Sequence, residues 1–152
     1  MNRLLSITSI VLVLIAPQFT TAQRMNLTVN YTASSQCGAG IGFELKGYGI
    51  AVVSYRDESY TRADTFFTNN ETLVSLSKQI HPSITLSAGA GVRKSDRHFA
   101  NNEWDSFSTN AIYLAGTSCK VWREVYVNSG ILFGKNFLQI YSGISVGIKM
   151  ND

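Results

Sequence analysis

The sequence predicts an all-β domain, an eight-stranded antiparallel up-and-down transmembrane β-barrel that follows a cleaved signal peptide. Three observations support this fold class. The chain opens with a short apolar run, most of the remainder alternates apolar and polar residues, and the polar positions are mainly glycine, serine and threonine. Alternation with a period of two is typical of strands that have one apolar face. The 152 residues leave room for a single domain of this kind.

The N-terminal segment has the layout of a secretory signal. Arg3 supplies a positive charge, an apolar run follows at 4–16, and small residues at 20–22 precede the expected cleavage site. A membrane-anchoring helix, which is the alternative, needs about 20 apolar residues, and this run is shorter. We therefore expect a signal peptide at 1–22 and a barrel domain at 23–152.

The domain is close to neutral, and this argues against nucleic acid as a partner. Without Arg3, 12 of the 13 basic residues remain against 10 acidic ones, and no basic cluster is visible. Charged residues make up 15% of the chain, and many lie outside the alternating stretches.

Five stretches show the alternation directly, at 25–31, 38–45, 84–93, 124–133 and 138–150. The last is the clearest, because every second position is polar or glycine. Its apolar positions are Leu138, Ile140, Ile144, Val146, Ile148 and Met150.

Turns place two further strands. Sequences suited to tight turns occur at 46–47, 81–83 and 135–136. They predict strands before and after each turn whose apolar faces agree with the alternation, with Lys78 as the one charged misfit. An eighth strand is expected near 110–116, with its faces unassigned. The predicted pairs across the turns are Leu45 with Tyr48, Ile80 with Ile84, and Gly134 with Phe137.

The links between strands differ in length. Short links are expected at 46–47, 81–83 and 118–122, and long polar links at 57–70 and 94–107. Since alternate links of an up-and-down barrel share an end, both long links are expected to be loops at one end, facing outside.

The alternation suits two kinds of protein, because a soluble barrel or sandwich buries its apolar face and a membrane barrel turns it to lipid. The low charge and the small polar-face residues favour the membrane barrel, since a narrow lumen has little space. A secreted or periplasmic soluble module is the alternative. Aromatic residues near strand ends are typical of membrane-interface girdles: Tyr48, Tyr55, Trp104, Phe107, Trp122, Phe133 and Phe137.

In these features the chain resembles the small eight-stranded outer-membrane β-barrels of Gram-negative bacteria. The resemblance covers about 23–150 and rests on the signal, the strand count, the alternation of link lengths and the final C-terminal strand. It implies an outer-membrane location and contact with outer-membrane lipid. Those proteins usually end on an aromatic residue, and here Met150 is nearest that place.

The two cysteines distinguish the alternatives. In the barrel, Cys37 and Cys119 fall at opposite ends, too far apart for a disulfide. The membrane barrel therefore predicts two free thiols, whereas a secreted sandwich would join them.

No strong catalytic motif is present. His81-Pro82-Ser83 is similar to the His-x-Ser element of lipid A deacylases, but Ile84 follows where that family has Asn, and a turn is preferred. His98, near Ser95 and other polar residues, resembles the loop residues of lipid A palmitoyltransferases only in composition. We expect no enzyme, cofactor or metal site, with a lipid A-modifying enzyme as the alternative.

Two groups of residues are candidates for sites. Four charged residues on the polar face are expected to form an interior network, with a conducting pore as the alternative: Glu44, Arg93, Glu124 and Lys149. Aromatic residues and a histidine in the long links predict a structural or surface-binding role toward a surface protein or glycan. These are Tyr60, Phe66, Phe67, His98, Phe99, Trp104 and Phe107.

Overall fold

The computed structural model is a closed β-barrel in which each strand pairs with its neighbour in sequence and β1 pairs with β8. The structure describes 23–33, 36–61, 65–99 and 104–150, with 57–61, 65–66, 97–99 and 104–107 described through the strand backbone alone. The expected signal peptide lies outside these residues. The strands are β1 Arg24–Thr32, β2 Cys37–Leu45, β3 Tyr48–Thr61, β4 Thr65–His81, β5 Ile84–Phe99, β6 Trp104–Trp122, β7 Val125–Gly134 and β8 Phe137–Lys149.

All pairs are antiparallel, as predicted for an up-and-down barrel. The end that contains the turns at 46–47, 82–83 and 123–124 is called the lower end, and the opposite end the upper end. In the part of the chain that the structure describes, no helix is long and apolar enough to cross a membrane.

The strands form walls of two heights. The short wall comprises β7, β8, β1 and β2, with 10, 13, 9 and 9 residues. The tall wall comprises β3 to β6, with 14, 17, 16 and 19 residues. The tall wall continues upward beyond the last pairs with the short wall, which are Cys37 with Arg56 and Gly134 with Ile112.

The prediction of long loops at 57–70 and 94–107 was wrong, because most of these residues belong to paired strands. The remaining links are 62–64 and 100–103, outside the described residues. Neighbouring strands pair through backbone hydrogen bonds, which do not depend on side-chain polarity. Paired strands outside the membrane therefore need no alternation of apolar and polar residues. Polar sequence without alternation therefore does not distinguish such strands from loops.

The eighth predicted strand, near 110–116, is the central part of β6. The predicted link at 118–122 was wrong, because β6 continues to Trp122 and the turn is Arg123-Glu124. Cys119 thus lies within a strand, paired with Ile84 at the lower end.

Two turns agree with the prediction. Leu45 pairs with Tyr48, and Gly134 pairs with Phe137. Lys46 and Gly47 have φ of 52° and 78°, the positive values that a two-residue hairpin turn of this type requires.

The turn at 81–83 was placed one residue out of register. His81, not Ile80, pairs with Ile84, because a bulge lies between Gln79 and His81. Ile80 still faces outward, with 56% of its surface exposed, so the predicted faces hold.

The outward face is the apolar one on each alternating strand. Ile144 and Val146 are 55% and 45% exposed. Ser145 between them is buried, and so is Tyr141, which has the same inward register. Phe43 is an exception, because it has the outward register but is 4% exposed. An apolar belt around a closed cylinder is covered only by lipid, so the barrel spans a membrane and the soluble alternative is wrong.

Both cysteines are exposed free thiols. Cys37 begins β2 at the upper end and Cys119 lies near the lower end of β6. Their separation agrees with the prediction from the barrel.

Glycines of the inward face leave space for large side chains inside. A Cβ at Gly116 would meet the hydroxyl of Tyr141, and a Cβ at Gly38 would meet the ring of Tyr55. The narrow lumen is therefore filled by a few large residues, each facing a position that has no side chain.

Candidate functional site

The lower end of the lumen contains an ion cluster centred on Arg24. Its Nη1 lies 3.4 Å from Glu44 Oε2 and its Nε 3.3 Å from Glu124 Oε2. Lys120 Nζ lies 3.6 Å from the other oxygen of Glu124. Arg24 also donates to the hydroxyl of Tyr126 and lies over its ring, 5.5 Å from the centroid. Three strands and the β6–β7 turn are thus joined by one guanidinium.

Above this cluster the lumen contains neutral polar side chains in a hydrogen-bonded chain. Ser145 Oγ donates to Asn128 Oδ1 over 3.2 Å, and Asn128 Nδ2 donates to Asn30 Oδ1 over 3.4 Å. Asn30 Nδ2 in turn donates to the Tyr55 hydroxyl over 3.1 Å. A cavity of about 100 Å³, lined by polar and apolar side chains in similar measure, lies beside these hydrogen-bonded residues.

An apolar layer fills the middle of the lumen. Tyr55 and Tyr141 meet edge to face with their ring centroids 6.5 Å apart, and Leu73, Ile112 and Leu132 are fully buried beside them. The predictions that Tyr55 and Phe137 belong to an interface girdle were wrong. Tyr55 has the inward register and Phe137 packs against this layer. Large aromatics fit inside because glycines face them.

A buried ion pair lies above the apolar layer. Glu71 is fully buried, and its Oε1 lies 3.4 Å from Arg93 Nη1. The Arg93 guanidinium also lies over the ring of Phe137, 4.9 Å from the centroid. This pair is at the height where the short wall ends, since Phe137 is the first residue of β8.

The four predicted interior charges do not meet in one network. Glu44 and Glu124 share Arg24 at the lower end, and Arg93 pairs with Glu71 near the upper end. Lys149 has the inward register, since it pairs with Arg24, but it ends β8 and is exposed.

Sequence reasoning missed Arg24 and Glu71. The signal was present in both cases, because each residue continues the inward register of its strand. Arg24 precedes Asn26, and Glu71 precedes Leu73 and Ser75. Both residues lie just beyond the predicted ends of their strands, since the predicted β1 begins at Met25 and the predicted link ends at 70.

At the upper end, four strands of the tall wall continue as one sheet. This upper extension, defined as 57–61, 65–69, 95–99 and 104–108, begins at the row Asp57, Asn69, Ser95 and Ser108. Within this extension, β3 has no pairs with β2 and β6 has no pairs with β7, because those ladders end at Arg56 and Ile112.

The upper extension contains the predicted surface-binding residues, and its register brings four of them together. Tyr60 pairs with Phe66, Phe66 with His98, and His98 with Trp104. Phe67 lies one row lower, opposite Ser59 and Arg97, and Phe99 pairs with Thr65. Phe107 is the extra residue at an irregularity in the β5–β6 pairing.

Among the described side chains, no serine hydroxyl is hydrogen-bonded to a histidine. Ser95 Oγ is buried and lies 2.7 Å from Asn69 Oδ1, to which it donates. His81 is in the lower turn, where its Nδ1 accepts the Ser83 N–H over 3.3 Å, so it serves the turn as the preferred interpretation predicts. Among the described residues, no group of three histidine, cysteine or acidic side chains is placed to hold a metal ion.

No known protein family matches the sequence, and comparison with curated proteins finds no relative. Solved structures, in contrast, share the fold. The Yersinia pestis outer-membrane protein Ail in a phospholipid nanodisc has a TM-score of 0.63 at 11% identity, covering 83% of this chain and 99% of its own. Neisserial surface protein A has a TM-score of 0.54 at 13% identity, covering 81% and 92%.

A crystal structure of Yersinia pestis Ail in complex with the heparin analogue sucrose octasulfate has a TM-score of 0.54 at 13% identity, covering 82% and 95%. These likenesses establish the fold. They confirm the predicted fold class and the resemblance to small eight-stranded outer-membrane barrels. An outer-membrane location agrees with this fold and with the apolar belt.

Proposed function

We propose that this outer-membrane barrel has a surface-binding or adhesion role and that its upper extension is the binding element. The observation that carries the proposal is the row Tyr60, Phe66, His98 and Trp104, at directly paired positions of four adjacent strands. Directly paired positions belong to one face of a sheet. Aromatic residues grouped in this way are typical of protein recognition surfaces.

The position of the extension supports the same role. With the short turns in the periplasm, the tall wall projects from the outer surface, beyond the level at which the short wall ends. Sites built on strands are held more rigidly than sites on loops. A partner would thus meet a preformed sheet.

The net charge of the two segments that form the extension restricts the class of partner. The sequence 57–70 and 94–107 contains six acidic and three basic residues. Such a surface does not attract a polyanion, so the sulfated ligand seen with Ail is not the ligand class we propose here. The partner is a protein or an uncharged glycan of a host or neighbouring cell surface.

The register allows the extension to be removed without altering the barrel below it. Asp57 pairs with Asn69, and Ser95 pairs with Ser108. Replacing 58–68 and 96–107 each by Asn-Gly therefore gives two hairpins with two-residue turns. We expect the trimmed protein to keep the heat-dependent gel mobility of a folded barrel and to lose attachment of expressing bacteria to surfaces and cells.

A matched control replaces Lys135-Asn136, the upper turn of the short wall, by Asn-Gly, and attachment should stay at the level of the wild type. Attachment that persists when both hairpins are trimmed would refute the binding role and leave a structural one.

A further inference from the structure

The outer surface of the tall wall contains a groove near its lower end. Leu76, Ala88 and Ala115 are directly paired positions of β4, β5 and β6 on the outward face. The two alanines form a depression, because the outward neighbours on either side are Leu76 and, on β7, Ile131. The groove has a volume of about 540 Å³ and an almost wholly apolar lining.

A cation lies at the lower edge of this groove. Lys78 is one outward position below Leu76 and pairs with Leu86 and with Tyr48, the first residue of β3. Its Nζ lies over the Tyr48 ring, 5.4 Å from the centroid. The ion pairs of the described residues do not include Lys78. The Lys78 ammonium lies on an otherwise apolar face and next to Tyr48. Lysines and aromatic residues in this position are typical of the level of the lipid head groups.

We propose that this groove binds one anionic phospholipid from the leaflet at the lower end. An acyl chain lies over Ala88 and Ala115, and the phosphate lies against the Lys78 ammonium. The apolar lining suits a hydrocarbon chain and excludes a polar ligand. The lysine supplies the charge that distinguishes an anionic head group from a zwitterionic one.

A second copy of the chain fits the groove less well. A two-fold interface places the same patch on both subunits, so two depressions would face each other over Ala88 and Ala115 and leave a void. The same symmetry would bring two Lys78 ammonium groups to one apolar interface, where their repulsion is poorly screened. A convex, negatively charged occupant is favoured on both grounds.

The test uses the full-length mature barrel in nanodiscs of phosphatidylcholine that contain a minor fraction of phosphatidylglycerol with the same acyl chains. Native mass spectrometry after release from the disc measures which lipid the barrel retains. We expect retained phosphatidylglycerol to be enriched over its fraction in the disc. Lys78→Gln should reduce the enrichment about fivefold, which corresponds to the ~1 kcal/mol of one lysine near an anionic head group.

Ala88→Leu fills the groove and should reduce retention of both lipids. Two matched controls should retain lipid as the wild type does: Lys135→Gln removes a lysine at the upper end, and Ala39→Leu enlarges an exposed alanine on β2. Gel mobility without heating verifies that each variant is folded.

Equal enrichment in the wild type and Lys78→Gln, or no enrichment at all, would overturn the head-group assignment and with it the proposal. A dimer that Ala88→Leu converts to a monomer, without retained lipid, would identify a second copy as the occupant instead. The groove is at the lower end and is tested by lipid retention, whereas the trimmed hairpins are at the upper end and are tested by attachment. Failure of one proposal is therefore distinguishable from failure of the other.

Discussion

The short wall and the tall wall share one alternation but differ in what surrounds them. In the short wall, an apolar outer face opposes an inner face that is largely glycine and polar residues, apart from the residues of the apolar layer. The tall wall has this pattern only below the row of Asp57, and above it polar sequence continues the same ladders. Strand pairing therefore extends beyond the amphipathic part of each strand. Lipid requires an apolar outer face only on the residues that it contacts.

The largest expected effect concerns the ion pair at the boundary between the walls. Glu71→Ala would leave Arg93 without its buried carboxylate, 3.4 Å away in the wild type. Breaking a buried pair by removing one partner costs roughly 3–5 kcal/mol, and urea unfolding in lipid vesicles would measure the loss.

Glu44→Ala at the lower end is the comparison variant. Arg24 and Glu44 are 20% and 17% exposed, and Arg24 keeps Glu124. Glu44→Ala should lower the free energy of unfolding by less than half as much as Glu71→Ala does. Equal losses at the two ends would contradict the distinction drawn between a buried pair and a wetted cluster.

A medium effect tests where lipid ends. Ile144→Arg places a charge on the belt of the short wall, where the side chain is 55% exposed, and should cost about 2–4 kcal/mol near the middle of the bilayer. Thr109→Arg, at an exposed position of β6 near the upper extension, should change the free energy of unfolding by less than about 0.5 kcal/mol. Unfolding curves of both variants in the same vesicles decide this, and similar penalties would mean that lipid reaches both heights.

The smallest effect tests how the two walls are joined inside. Gly116 of β6 faces Tyr141 of β8, and a Cβ at 116 would meet the tyrosine hydroxyl. Gly116→Ala should destabilise the barrel by roughly 1–3 kcal/mol through overpacking. In the Tyr141→Phe background the same change should cost less, because the hydroxyl is gone. Additive losses in this double-mutant cycle would show that the two positions do not interact.

The sequence predicts faces and register correctly only up to the row of Asp57, where the amphipathic pattern ends. Where one face meets lipid, parity alone placed residues such as Ile144 and Ser145 on the correct faces, and the turns at 46–47 and 135–136 set the register. Above the row of Asp57 the alternation ends, so the sequence predicts loops at 57–70 and 94–107 where the structure has paired strands. The girdle prediction failed at Tyr55 because it rested on the position of aromatic residues near strand ends, whereas parity puts Tyr55 on the same inward face as Val53.

The candidate sites were predictable in composition but not in grouping. The aromatic residues of the long links were recognised, whereas the row from Tyr60 to Trp104 depends on the register of three ladders. The groove at Ala88 and Ala115 likewise requires β5 and β6 to be in register. Single strands contain no information about their neighbours' offset.

By itself, the sequence determined the number of strands, two turns and, for seven of the eight strands, which face is apolar and which is polar, because side chains alternate along any extended backbone. Closure of the sheet decided the rest. It brought Arg24 to Glu124 and Gly116 to Tyr141 across the lumen. The physical reason is that contacts between distant strands depend on the stagger of the closed barrel, a property that no local stretch encodes.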